Sequence, residues 1–439
     1  MLSEEVIEPS VIALNELFPR NTEQFLKPFE SIVNPDIHEE MSLDFELSGR
    51  VHTHKISPIL RLARPEDAEE ITGIYKELYN GTYPYKEMED VDEVRKMILD
   101  PNIQLIIYQD PSYNMVGCIT FVLDFENKRG YIRGFMLKKK YQGYIDITKA
   151  MIGSMIGMVY KFRDIIYIWY VENRTAHAKS QYSMWVCGIA PIAFYPNKDI
   201  FLDKVESDLM QIFYDKRALT KFRTDKIPQF IPPVEKCFQY ADARYKLGEY
   251  NIQNPTNLND FSHASRLEKC LIKSITRDKF GYETIRFTLP ETDSYFEFLY
   301  TPQVKNFEKT KYRVANIEEL TFFVKEFIKC GTELGIRYYE AFVSGYEPSH
   351  QKVFYNAGLC PRGYIPSWNY DINSGSFEDY ILFNWCEGKI NMDIKLIDEA
   401  KKLLGVLGEC DKILNPKKTV SQIIPAYYCI KSKVSNLWN

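Results

Sequence analysis

The stretch that decides the fold is Gln181-Tyr-Ser-Met-Trp-Val-Cys-Gly-Ile-Ala-Pro-Ile-Ala-Phe-Tyr-Pro196, because a related stretch occurs later in the chain. It reads Gln351-Lys-Val-Phe-Tyr-Asn-Ala-Gly-Leu-Cys-Pro-Arg-Gly-Tyr-Ile-Pro366. The glutamine, the glycine and both prolines recur at the same spacing, and the offset is 351 − 181 = 170 residues. A repeat of this kind predicts two similar supersecondary units in one chain. Two coincidentally similar strand-helix-strand units are the alternative.

Strand and helix patterns surround the two copies in a similar order. Before the first copy, they predict strands at Ile59–Ala63, Ile103–Tyr108, Met115–Leu123, Gly130–Leu137 and Ile165–Val171, with helices after Pro65, over Val91–Leu99 and from Asp146 to Phe162. Before the second copy, they predict strands at Leu271–Ile275, Tyr282–Thr288, Tyr295–Tyr300 and Ile336–Val343, and a helix over Ile317–Leu334. The expected class is α/β, as an α+β arrangement with a mixed sheet.

Length and composition limit the number of domains and the class of protein. A chain of 439 residues exceeds what one core organises, so two or three domains are expected. The net charge of −5 gives no global reason to bind nucleic acid or an acidic membrane. Nine cysteines without a Cys-x-x-Cys pair argue against a disulfide framework, and no signal peptide or membrane-spanning stretch is evident. A cytoplasmic protein is expected.

Several motifs around the repeat carry a resemblance to a known family. The opening strand leads into Arg61-Leu-Ala-Arg-Pro-Glu-Asp67, and a helix followed by glycine and an apolar residue occurs at Gly188 and at Gly358. Each repeat is followed by an acidic residue and a last apolar strand, at Asp208–Phe213 and at Asp379–Phe383. In this order, with a basic turn before the central helix, the chain resembles the GNAT superfamily of acyl-CoA-dependent N-acyltransferases over roughly two thirds of its length.

The resemblance implies two GNAT-like domains in tandem, the second of them degenerate. The expected ranges are an N-terminal extension at 1–57, a GNAT-like domain with a modified acyl-CoA turn at 58–216, a connector at 217–264, a partial GNAT-like domain at 265–387 and a helical tail at 388–439. The second domain lacks the first helix pair. Its segment Tyr300–Val314 contains no glycine, so no cofactor turn is expected there. This copy is expected to serve packing or to shape a substrate pocket.

The family's cofactor turn has a recognisable counterpart in the first copy. In that family the pantetheine arm lies between two splayed strands, and the pyrophosphate meets the N-terminus of the next helix. The resemblance therefore implies that acetyl-CoA or another acyl-CoA is bound as cosubstrate by Met136, Leu137, Lys138, Lys140, Gln142, Gly143 and Tyr144. Ile145 and Ile147 occupy the two positions where the family has small residues, and Asp146 adds a carboxylate that repels phosphate. A solvated lysine run is the other explanation of the basic residues.

Amine acylation needs a group that accepts a proton from the substrate amine. The family's glutamate on the strand before the turn is missing, because that stretch reads Ile132-Arg-Gly-Phe135. Glu172, after the buried strand, and His177, at the start of the next helix, are the catalytic candidates. A surface acid and a helix-capping histidine are the alternative interpretations. No metal site is assigned, since the pair His52 and His54 has no further ligand at a suitable spacing.

These features favour an acyl-CoA-dependent N-acyltransferase, in the first instance an N-acetyltransferase, that acts on an amine of a small molecule or a protein. The rival hypothesis is a catalytically inactive GNAT-like binding or scaffold subunit that has lost normal CoA binding. A third hypothesis is that another acyl carrier or a nucleotide binds in the same strand gap. The expected partners are an acyl-CoA and an amine substrate, and a protein partner or a homo-oligomer is left open.

Overall fold

The computed structural model describes residues 58–145, 147–256, 264–391 and 393–407 of the chain. The expected N-terminal extension, with His52 and His54, lies outside the described residues. Asp146 and the polar end after residue 407 lie outside them as well.

The described residues form a large mixed sheet. Its strands and those of one small sheet are β1 Ile59–Leu62, β2 Ile103–Gln109, β3 Met115–Asp124, β4 Arg129–Leu137, β5 Ile168–Arg174, β6 Ala190–Phe201, β7 Lys204–Tyr214, β8 Gln229–Phe230, β9 Asn251–Ile252, β10 Ile272–Arg277, β11 Glu283–Leu289, β12 Ser294–Thr301, β13 Asn306–Arg313, β14 Tyr338–Ser344, β15 Cys360–Asp371 and β16 Ser376–Cys386. Fourteen strands make one sheet in the order β1-β2-β3-β4-β5-β7-β6-β15-β16-β14-β13-β12-β11-β10, while β8 and β9 pair separately. The predicted mixed α/β class is confirmed.

Helices cover the sheet between these strands. They are α1 Ala68–Tyr79, α2 Val91–Leu99, α3 Ile147–Lys161, α4 Lys179–Val186, α5 Lys216–Leu219, α6 Glu235–Tyr245, α7 Ala264–Cys270, α8 Ile317–Leu334, α9 Pro348–Asn356 and α10 Asp398–Leu407. The predicted bounds of α2 and α8 agree with the structure. Among the described helices, none combines the length and the apolar character that crossing a membrane requires.

The first seven strands and the last seven have the same order in the sheet. The N-terminal half-sheet runs β1-β2-β3-β4-β5-β7-β6, and the C-terminal half-sheet runs β10-β11-β12-β13-β14-β16-β15. In each half-sheet a single pair of neighbours is parallel, namely β4 with β5 and β13 with β14. The half-sheets join where Gly363 of β15 pairs with Ala193 of β6. A Cβ on Gly363 would overlap the Ala193 side chain, so this close approach requires glycine.

The repeated glutamines have the same structural role. The Nε2 of Gln181 donates to the carbonyl of Arg174, the last residue of β5, and that of Gln351 donates to the carbonyl of Ser344, the last residue of β14. The Oε1 of Gln181 accepts from the Ile397 amide, and that of Gln351 accepts from the Ile231 amide. Both glutamines are fully buried, and each fixes a crossing segment onto the end of a strand.

The repeated prolines also occupy corresponding places. Pro191 in β6 and Pro361 in β15 lie at the first register shift of these strands, and Pro196 and Pro366 lie within the second. Proline has no N–H to donate, so it fits a strand where the ladder is interrupted. The repeat seen in the sequence therefore marks two strands that are bent at the same points.

The structure corrects two of the predicted elements. Strand β5 begins at Ile168 and not at Ile165, since the chain first makes a turn in which Ile165 is 45% exposed. The segment Tyr300–Val314, which the sequence analysis left without a strand, contains β13. In β13, exposed charged residues alternate with buried ones, which is typical of a strand with one covered face.

Replacement of Gln351 by alanine should destabilise the fold, because it leaves the Ser344 and Gln229 carbonyls and the Ile231 amide without their partner. Unmet buried polar groups of this kind cost about 2–4 kcal/mol in the free energy of unfolding. Urea unfolding of Gln351→Ala measures the loss, and the exposed Gln239→Ala is the matched control. A loss no larger than that of the control would contradict the role assigned to Gln351.

Candidate functional site

The two parallel strand pairs splay apart part of the way along. Strand β4 pairs with β5 from Arg129 to Ile132, and β13 pairs with β14 only at Asn306 and Phe307. Beyond these points no ladder joins the strands in the described part of the chain. We call the gap between residues 133–137 and 172–174 the N-terminal wedge, and the gap between residues 308–313 and 340–344 the C-terminal wedge.

A bulge accounts for each wedge. The register of β3 against β4 shifts between Cys118 and Thr120, and the register of β12 against β13 shifts between Glu297 and Leu299. The extra residue has a positive φ in both cases, 63° at Gly134 and 54° at Lys309. A bulge bends its strand and increases the local twist, which turns β4 and β13 away from their parallel neighbours.

Aromatic side chains close the N-terminal wedge on the face covered by α1. A Cβ on Gly134 would overlap the Tyr75 hydroxyl, so that ring lies directly against the bulge. The Tyr75 ring is 4.9 Å from the Tyr83 ring, and the Tyr79 ring is 5.8 Å from that of Phe201 at the end of β6. Since these rings are buried, they block the part of the wedge around Gly134 on the α1 face, and an acyl-pantetheine chain has to enter there from the face that carries α3.

The residues implied to bind acyl-CoA form one continuous segment after the bulge. Met136 is buried, Leu137 is half-buried and accepts a hydrogen bond from Gln142 Nε2 at 3.2 Å, and Lys138 forms an ion pair with Glu70. The Lys140 ammonium lies 4.7 Å from the Tyr141 ring centroid.

The end of that segment has an exposed part and a buried part. Gly143 has φ 92°, a Cβ built on it would have no atom within 4 Å, and the Tyr144 side chain is 69% exposed. Ile145 is 2% exposed and packs in the core beside Ala150. The position where the resemblance expects a small residue therefore holds a core side chain, which leaves no recess for a phosphate at that point.

A large cavity lies on the opposite face of the sheet from α3 and spans both half-sheets. Its volume is about 950 Å³. Residues of β4, β5, β13 and β14 form its floor, and its walls carry many aromatic rings. In the described part of the chain, the C-terminal half-sheet has no counterpart of α1 and α2 on this face, so the cavity is open there. We call it the central cavity.

A buried lysine at the floor of the central cavity joins the half-sheets. Lys198 of β6 is 2% exposed, and its Nζ donates to Glu172 Oε2 of β5 at 2.8 Å. The same Nζ is 3.4 Å from a Glu340 carboxylate oxygen and 3.7 Å from one of Glu308, both in the C-terminal half-sheet. We call these three glutamates around Lys198 the carboxylate cluster. It sets three carboxylates against one ammonium.

The excess of carboxylates over ammonium groups affects the pKa values of Lys198 and Glu340. Burial acts to lower the pKa of Lys198, but the three neighbouring glutamates outweigh it and raise the pKa well above its usual range. Burial raises the pKa of Glu340 to about 7, against the opposing effect of Lys198, and Glu308 and Glu172 raise it further. Near neutral pH the cluster therefore holds a proton on Glu340 part of the time.

Glu172 and Glu340 occupy corresponding positions. Each is the first residue after the last parallel pair of its strand, Val171 in β5 and Tyr339 in β14. The sequence analysis named Glu172 and missed both Glu340 and Glu308. A charged residue inside the apolar stretch Ile336–Val343 was the signal for Glu340, whereas Glu308 had none because its strand was not predicted.

The structure does not bring Glu172 and His177 to the same cavity. Glu172 lines the central cavity, while His177 lies on the exposed segment after β5 and is not among the residues that line it. Although the residue is exposed overall, partial desolvation of its ring and the nearby Arg174 lower the pKa of His177. His350 does line the cavity, with its Nδ1 3.4 Å from the Tyr312 hydroxyl, and burial lowers its pKa.

The described acidic residues of the site do not form a metal centre. Throughout the described ranges of the chain, no group of three or more His, Cys, Asp or Glu side chains has an arrangement that could hold a metal ion.

The raised pKa of Glu340 predicts that stability falls as the pH rises. The folded protein keeps a proton that the unfolded chain loses near the ordinary value of 4.5, so the free energy of unfolding decreases between about pH 5 and pH 8. Burial raises the pKa of Asp199 to about 6 and adds to the effect. The groups facing Glu340 are Lys198, Glu308, Glu172, the Lys309 amide and the Tyr338 hydroxyl, which donates to it at 3.2 Å.

Urea unfolding at a series of pH values measures this effect. Between pH 5 and pH 8 the free energy of unfolding should fall in both proteins, and the fall should be smaller in the Glu340→Gln variant by on the order of 1–3 kcal/mol. The exposed Glu333→Gln on α8 is the control and should follow the unaltered protein. Equal slopes for Glu340→Gln and the unaltered protein would show that Glu340 ionises normally.

Comparison with known proteins gives a partial likeness. No protein-family model matches the chain, and no curated protein matches it in sequence. A chimera of the spermidine N-acetyltransferase SpeG from Vibrio cholerae with hSSAT is similar with a TM-score of 0.32 and 15% identity, over 37% of this chain and 98% of its own. The enzyme in complex with manganese ions has a TM-score of 0.31, 14% identity and coverages of 37% and 96%. The likeness spans about a third of this chain and carries no conclusion about its activity.

Proposed function

We propose that the chain is an acyl-CoA-dependent N-acyltransferase built from two GNAT-like units in tandem, over 58–216 and 265–387. The observation that carries the proposal is the N-terminal wedge, which opens after Ile132 and Val171. The equal strand order of the half-sheets, and a second wedge at the corresponding place, support the tandem arrangement.

The N-terminal wedge offers what an acyl-pantetheine chain needs. The facing edges of residues 133–137 and 172–174 have backbone amides and carbonyls that no neighbouring strand pairs with, and an extended chain with two amides can bind them. The segment after β4 brings Lys138, Lys139 and Lys140 to the mouth of the wedge. Lys139 and Lys140 are exposed and can contact the phosphates of CoA, whereas Glu70 neutralises Lys138.

The C-terminal wedge is assigned no cosubstrate. The Thr310 hydroxyl donates to the Glu340 carbonyl at 2.6 Å, and the Lys309 amide donates to the Glu340 carboxylate at 3.3 Å, so side chains bridge this gap. The N-terminus of α8 is already satisfied, since Asn316 caps it and the buried Glu319 accepts from the Ala315 amide. An anion would be repelled at a helix start that contains a buried carboxylate.

In the proposed reaction, the acceptor amine lies in the central cavity and attacks the thioester carbonyl in the N-terminal wedge. The ammonium first gives one proton to a carboxylate, and the C–N bond then forms as the C–S bond breaks. The proton that the nitrogen loses as the amide forms passes through water to the leaving thiolate. Glu172 is the proposed proton acceptor, because it lies at the inner end of the wedge and lines the cavity. The proposal gives His177 no part in the proton transfer.

A catalytically inactive binding subunit is the second candidate. It is favoured by Ile145, whose burial fills the expected phosphate recess, and by Tyr75, whose hydroxyl lies against the bulge at Gly134. Both candidates fit a reducing cytoplasmic location, since none of the cysteines in the described part of the chain forms a disulfide. A homo-oligomer or another protein partner stays a prediction.

Calorimetric titration with acetyl-CoA separates the two candidates. An acyltransferase should bind acetyl-CoA with a micromolar dissociation constant, and Lys139→Glu combined with Lys140→Glu should weaken binding at least tenfold. The double variant Lys216→Glu and Lys246→Glu is the matched control, because it reverses two exposed lysines away from the wedge. No detectable binding to the unaltered protein at millimolar acetyl-CoA would overturn the proposed function.

A further inference from the structure

The central cavity is larger than a simple amine requires. Ligand pockets hold about 300–1,000 Å³, and the volume of about 950 Å³ is near the upper end of that range. Both half-sheets line it, and its lining is charged at two separate places along β13. The cavity therefore fits an elongated ligand with different chemistry at its two ends.

The inner end of the cavity carries more negative than positive charge. Among the residues that the structure describes, Lys198 is the one ammonium in contact with Glu172, Glu308 and Glu340. The nearby arginines have carboxylate partners of their own, Arg133 with Glu87 and Arg129 with Asp124. A ligand ammonium at this place would replace the proton that Glu340 otherwise retains.

The outer end of the cavity carries a row of basic side chains along β13, although Glu347 also lines the cavity. Lys309, Lys311 and Arg313 alternate along β13, all three are exposed, and all three line the cavity. Within the described part of the chain, neither Lys309 nor Lys311 forms an ion pair with a carboxylate, and Arg313 pairs with Asp293. We call these three residues the basic strip.

The distance between the two ends follows from strand geometry. Because of the bulge at Lys309, Glu308 lies opposite Leu299, Lys311 opposite Glu297 and Arg313 opposite Tyr295. Lys311 and Arg313 therefore lie about 7 Å and about 14 Å along the sheet from Glu308. The rings of Tyr295 and Tyr312 line the cavity beside the basic strip, and the Trp368 ring lines it with the Arg129 guanidinium 4.1 Å from its centroid. A ligand that spans the two ends passes over aromatic surface.

We propose that the central cavity binds a short peptide or peptide-like zwitterion, with its ammonium at the carboxylate cluster and its carboxylate at the basic strip. An extended tripeptide separates these groups by about 10 Å, which lies between the distances from Glu308 to Lys311 and to Arg313. The role of this ligand as the acyl acceptor rests on the proposed acyltransferase function. The binding itself does not depend on that function.

Four probes test the inference by calorimetry without acyl-CoA. They are the tripeptide Ala-Phe-Ala, its C-terminal amide, its N-acetyl form and free glycine. Ala-Phe-Ala should bind at least ten times more tightly than either blocked form, because each lacks one of the two charges, and glycine should show no binding. Equal affinity of the free and blocked tripeptides, or no binding of any probe at millimolar concentration, would overturn the inference.

Two variants locate the ligand in the cavity. Lys311→Ala should weaken Ala-Phe-Ala at least fivefold and leave the amide unchanged, and the exposed Lys269→Ala on α7 is its control. Glu172→Gln should weaken Ala-Phe-Ala and leave the N-acetyl form unchanged. If Lys311→Ala weakened the binding of Ala-Phe-Ala and of its amide to the same extent, the ligand carboxylate would not contact the basic strip.

The two proposals fail in distinguishable ways. Binding of Ala-Phe-Ala without any binding of acetyl-CoA would refute the acyltransferase and leave a peptide-binding protein. Binding of acetyl-CoA without any binding of the tripeptide would refute this inference alone.

Discussion

The end of parallel pairing between β4 and β5 is the constraint on which the rest of the structure depends. A bulge at Gly134 turns β4 outward, so the backbone edges beyond Ile132 and Val171 find no partner in the sheet. Unpaired backbone groups in a sheet interior are unfavourable unless another molecule or a side chain satisfies them. Side chains do so at the C-terminal wedge, and this difference divides the roles of the two half-sheets.

The buried Lys198 connects that wedge to the second half-sheet. Its ammonium needs several carboxylates because a single partner does not offset the loss of hydration. Those carboxylates come from both half-sheets, and they lie where each wedge begins. The same contact that holds the half-sheets together therefore sets the charge at the floor of the central cavity. A change in protonation there affects stability and ligand binding together.

Much of the fold could be predicted from the sequence, because periodic patterns report local burial. The repeat containing Gln181 and Gln351 was visible, since both residues satisfy the same backbone groups. Strand β13 was missed, because one bulge breaks its alternation and its outer face is charged. The joining of the half-sheets through Gly363 had no local signal, since it depends on two residues far apart in the chain.

The candidate site was predicted only in part, for a similar reason. Glu172 comes directly after the apolar stretch from which β5 was predicted, and it lies inside that strand, one residue beyond the last parallel pair. Its partners Lys198, Glu308 and Glu340 belong to three other strands, and only the assembled sheet brings them together. The role of segment 136–144 in binding a cosubstrate stays a prediction. The burial of Ile145 follows from packing against α3, which a family pattern does not contain.

Amide hydrogen exchange with and without saturating acetyl-CoA tests the central claim most directly, because it reports on the wedge edges themselves. The account predicts that exchange slows in residues 133–137 of β4, where an acyl-pantetheine chain pairs with the free edge, and does not change in residues 308–313 of β13. Unchanged exchange in residues 133–137 at saturation, or equal slowing in both segments, would contradict it.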